Sequence, residues 1–124
     1  MTTIFSIAGF GALGCLARYW LSGAVYQIAG RAFPSGTMAV NALGAFLIGL
    51  IMEFALRSTL IPSTMRIGLT IGFLGGFTTF STFSYETFRL LEEGQFLTAF
   101  VNAFASVSLC LLLTWAGIMV ARQL

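Results

Sequence analysis

Histidine, aspartate and lysine are absent from this chain. Without histidine, no serine or cysteine has the usual base partner for nucleophilic attack, and without lysine no amine can stand in for it. No glycine-rich run ends in the lysine that a Walker-type phosphate loop requires. The acids are limited to Glu53, Glu86, Glu92 and Glu93, with no spacing that suggests acid–base work. An enzyme is not expected. All six basic residues are Arg, and a net charge of +2 is too small and too scattered for nucleic-acid binding. Cys15 and Cys110 stand alone in different hydrophobic stretches, so neither a disulfide framework nor a metal spacing exists.

What remains is apolar. Hydrophobic residues make up 58% of the 124 positions and charged residues only 8%, where a soluble domain carries roughly a quarter charged residues. The chain is therefore read as a membrane protein. About 20 mainly apolar residues cross the hydrocarbon core, and four such stretches fit, at about 4–28, 36–56, 67–90 and 96–120. They use nearly the whole sequence, which predicts an all-α fold and a single domain over residues 1–124. Met1-Thr2-Thr3-Ile4 lacks the basic region of a secretory signal, so the first span is expected to be retained.

Arginine placement bears on orientation. With four spans, Arg57, Arg66 and Arg122 share one side with the N-terminus, while Arg31 and Arg89 share the other, with Arg18 nearer to it. An excess of Lys and Arg normally sets orientation, and here the two sides balance. Insertion in both directions, with opposite copies paired about a two-fold axis in the membrane plane, is the expectation. A fixed orientation set by partners or weak local bias is the alternative.

The most informative string is Gly75-Gly76-Phe77-Thr78-Thr79-Phe80-Ser81-Thr82-Phe83-Ser84, inside the third span. Adjacent glycines and five hydroxyl side chains predict an interrupted helix there. Irregular backbone at membrane depth is tolerated only where protein buries it or where it lines a watery path, and such segments mark ion or substrate sites. Peptide carbonyls freed by unwinding would suit a small hard cation such as Na⁺; local hydroxyls or buried waters would satisfy them equally. Phe77, Phe80 and Phe83 recur every third residue among the hydroxyls. A ring edge is electropositive, so these edges would offer an anion part of its lost hydration, unless the rings simply pack. Gly68, Gly72 and Gly76 form a ridge for close helix approach.

Other polar positions follow helical spacing. Thr37 and Asn41 share one face of the second span, and Thr98, Asn102, Ser106, Cys110 and Thr114 recur every fourth residue in the last. Such stripes either join helices or line a path; lacking fixed acid, a path of this kind suits an anion that accepts hydrogen bonds. Arg18 either snorkels to the interface or gathers anions in a vestibule. Glu86 either pairs with Arg89, three residues on, or meets ions at a pore end.

Three motifs together resemble the CrcB/Fluc family of bacterial fluoride channels over essentially the full length. They are Gly14-Cys15-Leu16-Ala17-Arg18-Tyr19, Gly36-Thr37 with Asn41, and the run from Gly72 to Ser84 with Glu86. The resemblance implies an antiparallel, dual-topology homodimer of four-helix subunits in the bacterial inner membrane, with two fluoride pores. It further implies a central, non-transported Na⁺ held by main-chain carbonyls of Gly75 and Thr78 from both subunits. By the same resemblance Phe80 and Phe83 face fluoride, Asn41 is the pore asparagine, and Ser81 and Thr82 lie near the pathway. Asn102, Ser106 and Cys110 align with the family's polar track, where the Cys110 thiol is a weaker donor than a hydroxyl.

The rival reading is a small proton-coupled multidrug exporter, also four-spanning and often of dual topology. Such exporters need a carboxylate in the first span, and none is present before Glu53. A structural subunit of a larger complex would not need the hydroxyl string.

Overall fold

A computed structural model describes residues 1–124. All of the regular structure is helical. The helix α1 covers Thr2–Ala29, α2 covers Ser35–Arg57, and α5, the last, covers Phe96–Ala121. The third span is composite. Its first half, α3, runs through Ser63–Ile67, a π-helical stretch Gly68–Leu74 and Gly75–Phe77. Its second half, α4, is Phe80–Glu92. Four stretches, Thr2–Ala29, Ser35–Arg57, Ser63–Glu92 and Phe96–Ala121, are long and apolar enough to cross a bilayer. The chain is a multi-pass membrane protein.

Local chemistry accounts for the boundaries. α1 ends at Gly30, whose positive φ of 77° an L side chain rarely adopts. Its N–H still reaches the Tyr26 carbonyl at 2.9 Å. α4 closes in a Schellman motif: Gln95 N–H donates to Leu90 O at 2.8 Å and Gly94 N–H to Leu91 O at 3.0 Å. Gly94 supplies the left-handed residue that this closure needs, at φ 76°.

The helices form two pairs, α1 with α3 and α2 with α5, joined by contact between α1 and α2. Backbones approach closely in both. A Cβ on Gly14 would strike the Phe73 carbonyl, one on Gly49 the Thr114 carbonyl, and one on Gly117 the Phe46 carbonyl. In a bilayer, where lipid is as apolar as the side chains, such small-residue contacts supply the packing.

The glycine ridge behaves as expected, with a geometric device that the spacing did not reveal. On an α-helix a four-residue repeat drifts by about 40° per step, so Gly68, Gly72 and Gly76 would rotate away from one partner. The i→i+5 bonding of a π-helix places more residues in each turn and offsets that drift. All three glycines face α1, against Ser6 and Phe10, Ile7 and Phe10, and Gly11 and Cys15 in turn.

The interruption is also narrower than the glycines suggested. Gly75 and Gly76 remain helical, and only Thr78 (φ −90°, ψ 158°) and Thr79 (φ −151°, ψ 113°) are extended. At that point the third span changes neighbours: α3 packs on α1, whereas α4 packs on α5. Just 19 of the 124 residues are buried, so one chain alone encloses little interior.

Candidate functional site: an uncharged groove at the helix break

The side chain of Asn41 decides the geometry of the break. From the second turn of α2 its Oδ1 accepts from Thr79 N–H at 2.7 Å, and its Nδ2 donates to Thr79 O at 3.0 Å. The amide replaces, on both sides, the peptide partners that a continuous helix would have supplied. The Thr79 hydroxyl then caps α4, accepting from Thr82 N–H at 3.1 Å. It also donates to Thr82 Oγ1 at 3.0 Å and lies 3.3 Å from Ser81 Oγ. Thr78 Oγ1 turns back to Leu74 O at 2.8 Å.

These diversions have a consequence for two carbonyls. In an unbroken helix Gly75 O would accept from Thr79 N–H, and Thr78 O from Thr82 N–H. Both donors are spent on side chains instead. The Gly75 and Thr78 carbonyls therefore lose their helical partners, and a Cβ built on Gly75 meets nothing within 4 Å. Neutral oxygens of this kind suit a hard monovalent cation.

Beside the break lies an open groove of about 490 Å³ without a charged side chain. Its floor includes Asn41, Gly75, Thr78, Thr79 and Ser106, with Cys110 and Thr114 further along α5. Phe80 and Phe83 form its rim, their ring centroids 5.5 Å apart and tilted by 46°. Phe80 is 77% exposed in the single chain, a large apolar ring standing over polar groups. Phe77 differs from its two neighbours in the repeat: it is buried and stacked on Phe73 at 5.8 Å, so it packs.

The α5 stripe winds as its spacing predicts. Asn102 is buried and donates to Thr87 Oγ1 of α4 at 2.8 Å, while Ser106 Oγ donates to Asn102 Oδ1 at 3.4 Å. Three turns later Thr114 faces α2 and donates to Ala45 O at 3.1 Å. The track is thus continuous from Ser106 through Asn102 to Thr87, whose hydroxyl ends on Phe83 O at 2.7 Å.

A second polar cluster lies at the end of the molecule where α1 meets α2. Glu86 Oε1 accepts from Thr37 Oγ1 at 2.9 Å and from the Tyr26 hydroxyl at 3.2 Å. Of the two readings of Glu86, the i,i+3 pair with Arg89 does not form; Arg89 bridges Glu92 at 3.1 Å and Glu93 at 3.7 Å instead. The reason is direction: Arg89 is exposed, while Glu86 turns inward to hydroxyl donors. Arg18 makes no ion pair and lines neither this cluster nor the break groove. Thr79, Thr87 and Tyr26 escaped sequence reasoning as individual residues, because nothing in their spacing marks a cap, a relay or a carboxylate partner.

Residues 5–118 match the family described as CrcB-like protein, Camphor Resistance (CrcB). The chain belongs to the CrcB family. Over all 124 residues it is 72% identical to proteins named fluoride-specific ion channel FluC from Geobacter sulfurreducens and from Geobacter metallireducens, with 100% of each chain covered. A protein of the same name from Geotalea daltonii is 68% identical, again over 100% of both chains. The relatives that share this family are named as channels, not as enzymes.

Proposed function

We propose that this CrcB-family protein is a fluoride-specific ion channel that passively lowers fluoride in the cytoplasm. The observation that carries the reading is the groove at the Thr78–Thr79 break, lined by neutral side chains that can donate hydrogen bonds and by the Phe80 and Phe83 rings, with no charged group. An anion that accepts hydrogen bonds strongly can exchange water for such donors, whereas a cation finds no fixed acid. Asn41, Phe80, Phe83, Ser106 and Cys110 border the proposed path. Ser81 and Thr82 hold its cap, with Thr37, Asn102 and Glu86 toward its end. Fluoride enters cells as neutral HF and is trapped on losing its proton. A negative-inside potential then drives the anion outward by about 2.3 kcal/mol per 100 mV, so no pump is required.

The active form in this reading is an antiparallel homodimer of oppositely inserted copies. Three features support it. The arginines balance across the two sides. Polar groups of the groove stand open on a chain that otherwise faces lipid, where each unsatisfied group costs several kcal/mol. Phe80, at the rim, lacks a neighbour to cover it. A second copy would cover both the groove and the Phe80 ring at once.

The residues also fit a structural Na⁺. The Gly75 and Thr78 carbonyls of two copies would hold it, and the cation would neutralise the partial charge that the break concentrates there. No carboxylate, thiolate or imidazole cluster competes as a metal site.

The test is flux. Purified protein in liposomes, with a potassium ionophore added, is expected to release fluoride rapidly and electrogenically, with negligible chloride release. Fluoride retention equal to that of protein-free vesicles would reject the function.

A further inference from the structure

Tyr26 is held by several partners, although nothing in its spacing marks it. α1 and α4 are not packed on each other, yet the Tyr26 hydroxyl crosses from one to the other and donates to Glu86 Oε1 at 3.2 Å. The same hydroxyl lies 3.2 Å from Thr37 Oγ1 and accepts from Thr37 N–H at 3.4 Å. Its ring lies against Gly36, where a Cβ would collide with the ring and with Ser22 O. The Arg31 guanidinium covers the ring face, 4.8 Å from the centroid.

Hydrogen-bond accounting shows what this achieves. Glu86 Oε1 receives two hydroxyl donors, one from α1 and one from α2. Glu86 Oε2 is buried with no partner. A half-satisfied carboxylate at membrane depth is normally driven to rotate toward water or a cation. The two donors on one oxygen hold the carboxylate in place while the other oxygen stays buried and unpaired. The adjoining cavity of about 300 Å³ is bordered by Tyr26, Arg31, Tyr85, Glu86, Arg89 and Glu93, so the carboxylate lies at its wall.

We infer that Tyr26 is a positioning residue of the conduction pathway, which fixes the Glu86 carboxylate and is itself clamped by Arg31. This inference rests on the reading that Glu86 borders the path. Tyr26 acts through Glu86, setting the rotamer of a carboxylate that borders the path. Thr37, on α2, supplies the second fixed point.

The test is a double-mutant cycle on fluoride efflux from liposomes, using full-length protein that elutes as the wild type does. Y26F keeps the ring and removes the hydroxyl; it is expected to slow efflux roughly tenfold, the scale of one hydrogen bond to a charged group. E86Q is expected to slow efflux as well, and Y26F added to E86Q to slow it no further. Equal proportional slowing by Y26F in both backgrounds would overturn the inference, as would wild-type efflux from Y26F. Wild-type efflux from E86Q would instead reject Glu86 as part of the path, a separate failure. R31Q gives an independent arm, since it leaves the Tyr26 and Thr37 hydroxyls in place. Slowing of about two- to fivefold in the wild-type background and none with E86Q supports the clamp. Equal slowing in both backgrounds would mean that Arg31 acts as a bare charge, and would refute it.

Discussion

α3 and α4 are halves of one span, separated by two residues, and they are held in place differently. α3 lies against α1 through Gly68, Gly72 and Gly76, with Gly14 admitting the Phe73 backbone from the other side. Nothing polar joins these surfaces except Ser6 Oγ, which donates to Thr64 O at 3.3 Å near the membrane edge. α4 is amphipathic and contributes a single buried residue, Leu90. Its fixed points are hydrogen bonds: Asn41 to Thr79, Asn102 to Thr87, and Thr37 with Tyr26 to Glu86. Shape holds the first half and directional polar contacts hold the second. Directional contacts leave donors and acceptors along one surface, which a path for ions needs and a close-packed seam excludes.

The sharpest way to break this contrast is to add bulk to the α3 seam. Gly14→Leu should abolish folded protein outright, because its side chain has only the Phe73 backbone to displace. Loss of the monodisperse elution peak is the readout, and a normal yield of active channel would contradict the seam. Next comes Asn41→Ala, which strands the Thr79 N–H and C=O together. Each buried group left unpaired is worth about 1–3 kcal/mol, so fluoride efflux should fall at least a hundredfold and thermal stability should drop. Asn41→Asp is informative beside it, since a carboxylate can accept from Thr79 N–H but cannot donate to Thr79 O.

A smaller effect is expected at the cap. Thr79→Ala removes the acceptor for Thr82 N–H and should cost about 0.5–2 kcal/mol, read as a lower melting temperature with slowed efflux; Thr79→Ser should recover most of both. Prolonged removal of Na⁺ should silence efflux in a way that readdition restores, if the Gly75 and Thr78 carbonyls hold the cation; full activity after exhaustive exchange would argue against it. The smallest effect belongs to the peripheral pair of Arg122, exposed, and Glu53, partly buried, at 2.9 Å. Arg122→Gln should change stability by less than about 1 kcal/mol and leave efflux as it is, since the pair belongs to neither half of the third span.

Much of this was legible before any coordinates. Hydrophobic runs fix the spans because hydrocarbon demands internally satisfied backbone, and the structure moves their ends by only a few residues. The hydroxyl string located the break, and four-residue spacing marked Ser106, Cys110 and Thr114 as one stripe, which the structure sets along one groove. Glu86 was harder. Its spacing to Arg89 left a surface pair and a pore-end role both open, whereas the inward turn depends on Tyr26, sixty positions away in the chain.

The amino-acid order by itself determined a four-span apolar chain with an uncharged interior stripe and a third span unable to remain helical. Those outcomes follow from local composition and period, which act within a turn or two of helix. Only the tertiary structure decided that the break falls on Thr78 and Thr79 and not on the glycines, that Asn41 serves as the surrogate peptide, and that Tyr26 and Thr37 capture Glu86. Each of those choices pairs groups from different helices, and a hydrogen bond between helices exists only once packing has brought its two ends within about 3 Å.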